Sequence, residues 1–328
     1  MEVLKKILIV DDDIAVTNYL MVFMMQTGEY ESEVINDPRE VMPALLREPF
    51  DAIILDLDMP HITGTDILKS IRDEKIEVPA IILTGVGDID LAVKSMKLGA
   101  FDYLTKPVDE DRLLDVIRGA VKHREVHTTI KSLPEGLTRK DLSYEREFDG
   151  FPASGPSMIR ILHEAEKIAA SDLPVFISGG RGTGIEQLAR AMHAASTRSQ
   201  APFLSIHASR HLPEDLNAVL FGRDADLSGK TTEQAGAIEA AEGGTLFINE
   251  VNALSQQAQA RMLRLLHTGE YYRERSSKIR KANVRIIAAS ERDLAGDDYA
   301  GDFSRDLLYH LRINTVRMPP LENAADSN

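Results

Sequence analysis

The sequence predicts an α/β protein built from two successive parallel-sheet domains, on three observations. Short apolar runs alternate with amphipathic stretches from residue 7 to residue 122. The first of these runs stops at three aspartates. A second alternation, beginning near residue 157, sets a glycine-rich turn between an apolar run and a helix.

In the first region the apolar runs 7–10, 31–35, 52–55, 80–83 and 102–104 read as strands. The stretches near 14–27, 39–47, 64–73, 89–98 and 109–122 read as the helices between them, which makes five βα units. Asp13, directly before the first helix, reads as its cap. Periodicity then fades across His123-Arg124-Glu125 and Leu133-Pro134-Glu135-Gly136, and Phe151-Pro152 and Gly155-Pro156 break any helix. Residues 123–150 are therefore expected to be a linker whose first part extends the last helix, acting either as a dimerising extension or as a solvated tether. From 151 to 321 a second domain is expected, with strands at 175–178, 203–207, 245–249 and 285–289 and helices at 185–195 and 255–267. It closes on Met318-Pro319-Pro320-Leu321, followed by a polar tail at 322–328.

Composition narrows the function. In 328 residues there is no cysteine, which removes disulfides, thiolate metal sites and cysteine nucleophiles. Nothing resembles a signal peptide or a membrane span, so a cytoplasmic protein is expected. The net charge of -14 is uneven: residues 1–120 carry 12 Lys and Arg against 24 Asp and Glu, and the remainder 26 against 28. An acidic first domain does not hold nucleic acid by its general field, and no basic helix-turn-helix is evident, so direct DNA binding is not expected. The nine histidines show no metal-ligand spacing. The local basic run of Arg273, Arg275, Lys278, Arg280, Lys281 and Arg285 reads as a solvated hairpin.

Ligands of a doubly wound sheet bind at the carboxyl ends of its strands. There the first domain sets Asp11 and Asp12, then Asp56 and Asp58, then Thr84, then Lys106 before Pro107. Carboxylates gathered in one pocket repel one another unless a hard divalent cation neutralises them, and Mg²⁺ suits an open oxygen site that receives a phosphoryl group. One carboxylate can then attack phosphorus while a lysine and a hydroxyl bind the transferred oxygens.

With these residues in this order, residues 1–122 resemble the receiver domain of two-component response regulators, a flavodoxin-like (βα)5 fold. The resemblance implies Asp56 as phosphoacceptor, Asp11, Asp12, Asp56 and the Asp58 backbone carbonyl as ligands of Mg²⁺, and Thr84 and Lys106 as the groups that bind the phosphoryl oxygens. It implies Tyr103 as the aromatic that moves with phosphorylation state, a sensor histidine kinase as partner, and a homodimer through the receiver.

In the second region, Gly179-Gly180-Arg181-Gly182-Thr183-Gly184 has the spacing of a phosphate-binding loop, with Gly179, Gly182 and Gly184 as candidate nucleotide contacts. Ile185 stands at the lysine position. With Gly243-Gly244-Thr245-Leu246-Phe247-Ile248-Asn249-Glu250, Arg285 to Ala289 and Pro319-Pro320-Leu321, residues 151–321 resemble the AAA+ domain of sigma-54-dependent activators. Against that family's pattern Asn249 replaces the metal-holding aspartate beside the retained Glu250. Glu291 replaces the sensor asparagine, Ser304 and His310 stand where two arginines reach a neighbour's nucleotide, and residues 223–230 replace the sigma-contacting loop. The helical lid that follows this core in the family is not expected here.

Hydrolysis requires a metal, a phosphate-neutralising cation and a neighbour's positive charge, and an arginine finger alone is worth roughly 10³–10⁵ in rate. These departures predict a catalytically inactive pseudo-ATPase, hence not an enzyme, whose glycine loop is a tight turn more than an ATP site. It would act by protein–protein contact, with another AAA+ activator among the candidate partners. The alternatives are a working sigma-54-dependent activator in truncated form and a receiver that drains phosphate from a kinase.

Overall fold

The computed structural model describes residues 4–85, 89–151, 155–225, 232–294 and 301–319, leaving aside the side chains at 89, 90, 92 and 93. The chain divides into two compact units, Met1–Thr128 and Thr129–Asn328.

In the first unit the alternation folds as β1 (Lys5–Val10), α1 (Ile14–Thr27), β2 (Tyr30–Ile35), α2 (Val41–Arg47), β3 (Ala52–Asp56), α3 (Gly64–Asp73), β4 (Ala80–Thr84), α4 (Ile89–Lys97), β5 (Asp102–Thr105) and α5 (Glu110–Lys131). All five strands are parallel, in the order β2-β1-β3-β4-β5, the flavodoxin-like arrangement. β3 and β4 are buried along their whole length, as strands covered on both faces must be. The Asp13 carboxylate accepts the Ala15 N–H at 2.8 Å and so starts α1. Helix α5 runs on nine residues past Lys122 into the first part of the expected linker. Val126 is buried in the extension, and ion pairs Lys5–Glu125 (2.7 Å) and Arg124–Asp51 (2.6 Å) tie it to the sheet.

The second unit contains α6 (Pro156–Ala169), β6 (Val175–Ser178), α7 (Ile185–Ala194), β7 (Phe203–His207), α8 (Pro213–Phe221), α9 (Ala237–Ala240), β8 (Thr245–Asn249), α10 (Gln256–Thr268), β9 (Glu270–Tyr271), β10 (Arg280–Lys281), β11 (Arg285–Ser290), α11 (Arg305–Leu311) and β12 (Asn314–Arg317). Its sheet is also parallel, in the order β12-β6-β11-β8-β7, while β9 and β10 form an antiparallel ribbon. The second half of the expected linker packs onto this unit: Leu142, Phe148 and Phe151 are buried, and the Thr138 carbonyl meets His163 Nε2 at 2.9 Å.

The basic run is a hairpin on which Arg275, Lys278 and Lys281 are exposed, but two of its arginines are not solvated. Arg273 is 3% exposed and ion-pairs with Glu239, Glu233 and Asp224. Arg285 is 1% exposed, and its guanidinium donates to the Ile168 and Ala169 carbonyls at 2.9 and 3.0 Å. Those carbonyls end α6, where helical partners run out: Ile168 also receives the Ser171 N–H at 3.1 Å, while Arg285 serves the Ala169 carbonyl. Burial pushes the Arg285 guanidinium down to about 10. Arg285→Met, which keeps the volume and removes the donors, is expected to lower stability by about 1–3 kcal/mol in urea unfolding, the cost of stranding the Ala169 carbonyl.

Candidate functional site

At the carboxyl edge of the first sheet, β1 delivers Asp11 and β3 delivers Asp56, both buried, with Asp12 exposed beside them. One carboxylate oxygen from each of Asp11, Asp12 and Asp56 lies within 4.8 Å of the others, close enough to share one cation. Lys106, arriving from the end of β5, places Nζ 2.7 Å from Asp11 Oδ2 and 2.5 Å from Asp56 Oδ1. The Lys106–Pro107 peptide is cis. Burial pushes the Asp56 carboxyl up, against the pull of the adjacent Lys106. Burial alone would lower Lys106, but its hydrogen bonds to Asp11 and Asp56 outweigh this and hold it above its ordinary value.

The backbone frames the same pocket. The Asp58 N–H donates to Asp56 Oδ2 at 2.7 Å, and the Asp13 N–H to Asp11 Oδ1 at 2.9 Å. Thr84, at the end of β4, is 3% exposed, and Tyr103 on β5 is half-buried. Gly64 escaped the sequence reading: a Cβ there would lie 2.2 Å from the Asp56 carbonyl oxygen. The start of α3 can approach β3 so closely only without a side chain.

At the corresponding edge of the second sheet, β6 runs into the glycine loop. Gly182 (φ +78°) and Gly184 (φ +86°) hold left-handed conformations, and the Thr183 hydroxyl donates to the Gly180 carbonyl at 2.8 Å. Ile185 turns inward and is 8% exposed. His207, a second residue the sequence reading missed, ends β7 beside Asn249 on β8. Its ring lies 3.1 Å from Asn249 Nδ2 and 3.1 Å from Glu186 Oε2, bridging the two strand ends; a histidine ending the strand next to Asn249 was the available signal.

Asn249 Oδ1 accepts the Glu250 N–H at 3.0 Å, and Glu250 itself holds φ +55°. Glu291 accepts from Arg181 Nε of the glycine loop at 2.9 Å. A cavity of about 200 Å³ opens beside Gly179, with Glu291, Arg292, Arg312 and Arg317 on its wall. Ser304 caps α11 through the Leu307 N–H, and His310 is buried with Nε2 2.7 Å from His267 Nε2. Of the stretch replacing the sigma-contacting loop, residues 226–230 lie outside the described residues.

A family model described as the response regulator receiver domain matches residues 7–118, and one described as the sigma-54 interaction domain matches residues 152–317. The regulatory protein LuxO of Vibrio cholerae is 33% identical over 91% of this chain, which spans 64% of LuxO. The transcriptional regulatory protein ZraR of Klebsiella oxytoca is 34% identical over 97% of this chain, which spans 69% of ZraR. The crystal structures of NtrX from Brucella abortus in complex with ATP and with ADP are each 26% identical. They cover 99% and 97% of this chain and 69% and 67% of their own, with TM-scores of 0.49 and 0.47.

The sigma-54 interaction match and the relatives LuxO and ZraR correct three expectations drawn from the sequence: that the second domain is a catalytically inactive pseudo-ATPase, that the chain is no enzyme, and that ATP is a doubtful cofactor. The sigma-54 interaction model takes in Ile185, Asn249, Glu250, Glu291, Ser304 and His310 despite their departures, and LuxO and ZraR align over nearly the whole chain. The physical reason lies in what forms a phosphate cradle. Backbone N–H groups at a helix N-terminus supply most of it, and here the left-handed glycines keep that shape before α7. Side-chain departures at Ile185, Asn249, Glu291, Ser304 and His310 leave that backbone cradle in place.

Proposed function

The chain belongs to the response regulators that couple a receiver domain to a sigma-54 interaction domain, and from that premise we propose that it is a transcription regulator whose nucleotide-binding AAA+ domain is controlled by phosphorylation at Asp56. The observation that carries the proposal is the convergence of Asp11, Asp12, Asp56 and Lys106 at one sheet edge. The donor set is all oxygen, with three carboxylates close together, which fits Mg²⁺. Asp11, Asp12, Asp56 and the Asp58 carbonyl would hold it. When bound, Mg²⁺ offsets the negative charge of the carboxylates and of the incoming phosphoryl group.

Asp56 is the nucleophile in this reading. Its Oδ1, the oxygen paired with Lys106, forms the new P–O bond as the bond to the donor's leaving group breaks, while the Asp58 N–H keeps Oδ2 in place. Lys106 moves its charge from the carboxylates onto the transferred oxygens, and the Thr84 hydroxyl donates to one of them. The acyl phosphate carries about −1.5 to −2 charges where the carboxylate carried one, and its three acceptor oxygens draw Thr84 inward and let Tyr103 follow. A sensor histidine kinase is the phosphoryl donor, the receiver pairs with a second copy, and the glycine loop receives the phosphates of ATP.

Labelling from acetyl phosphate tests the receiver half directly. Uptake of label dependent on Mg²⁺ and abolished by EDTA is expected, and uptake indifferent to EDTA would refute the metal assignment. Lys106→Ala is expected to slow labelling by roughly 10²–10³, the usual cost of removing one group aimed at developing oxyanion charge. Stopped time courses read this rate.

A further inference from the structure

One departure from the family pattern meets the glycine loop in space. Arg181 lies inside the phosphate loop, 90% exposed at its side chain, and Glu291 lies at the end of β11, and they form an ion pair at 2.9 Å. Glu250 lies near enough to add its own negative field at Arg181, so two carboxylates face this guanidinium. The loop carries no other cationic side chain, because Ile185 fills the lysine position and points into the core.

Resting on the nucleotide reading above, we propose that Arg181 is the cation that neutralises the bound polyphosphate, and that Glu291 is its competitor, holding it until phosphate displaces the carboxylate. Arginine suits this exchange, since its planar fork bonds carboxylate and phosphate in the same bidentate geometry. An exposed ion pair is worth little in water, so a polyphosphate of higher charge can take the guanidinium from Glu291. Glu291 thus discriminates against weakly charged ligands. Adenosine offers Arg181 nothing in return, whereas ATP offers a larger charge than the one lost.

The test is titration of the full chain with mant-ATP in Mg²⁺, comparing wild type, Glu291→Gln, Arg181→Ala, Arg181→Lys and the double variant. Freeing Arg181 from a surface pair is expected to tighten binding about three- to five-fold in Glu291→Gln. Arg181→Ala is expected to weaken binding by at least about tenfold, the loss of one charge-assisted contact, and Arg181→Lys to recover part of it. In the absence of Arg181, Glu291→Gln should bring no gain. Unchanged affinity in Arg181→Ala, or weaker binding in Glu291→Gln, with the wild type still binding, overturns this proposal and leaves the nucleotide reading standing. Absence of binding by the wild type and by Glu291→Gln alike overturns both. The Arg181 side chain is exposed and that of Glu291 partly so, and thermal melting of each variant separates lost affinity from lost fold.

Discussion

Replacing Asp56 by Asn is expected to abolish phosphorylation: wild type should incorporate acid-stable, base-labile label from acetyl phosphate, and the variant should stay at background. The effect is complete because an amide offers no anionic oxygen to attack phosphorus. It is also clean, because Asn keeps the volume and burial already raises the Asp56 carboxyl, so a neutral side chain relieves desolvation at that site. The variant should melt no lower than wild type. Label retained by the variant would move the phosphoacceptor to another residue.

Gly184→Val is expected to remove nucleotide binding while leaving labelling at Asp56 intact. Gly184 holds φ +86°, and a Cβ there would lie 3.1 Å from Phe151 Cε1. A β-branched residue is a genuine outlier at positive φ, so the loop must give up the conformation that precedes α7. Losing two charge-assisted N–H contacts at about 1.5 kcal/mol each lowers ATP affinity by roughly 100-fold. Calorimetry measures the loss, and receiver labelling reports whether the rest of the chain is sound. Undiminished ATP affinity would show that the loop is only a turn.

The acidic pocket was legible in the sequence because each of its residues directly follows an apolar run, and a parallel sheet gathers such residues at one edge. Gly64 was not, since its need for no side chain arises from its approach to the Asp56 carbonyl, a contact that spacing does not announce. Strand β12 was missed because Asn-Thr-Val-Arg is short and polar; it gains its place by pairing with β6. The extension of α5 past Lys122 was legible, but what anchors it was not: Lys5 and Asp51 pair with Glu125 and Arg124 across the fold. Arg273 and Arg285 belonged to a basic run in the sequence, yet their partners come from distant segments and bury them. The nucleotide loop was misjudged for a different reason. Residue types report side chains well, while the conformation of Gly182 and Gly184 is a backbone property that the substitution at Ile185 does not erase.

The measurement that bears most directly on coupling between the two halves is calorimetric titration of ATP with Mg²⁺ into the full chain, with and without beryllofluoride, in wild type and Asp56→Asn. Saturable binding is predicted, with an affinity that beryllofluoride shifts in wild type and leaves unaltered in the variant. No binding at any nucleotide concentration, or the same affinity in wild type with and without beryllofluoride, would contradict a phosphorylation-controlled nucleotide domain.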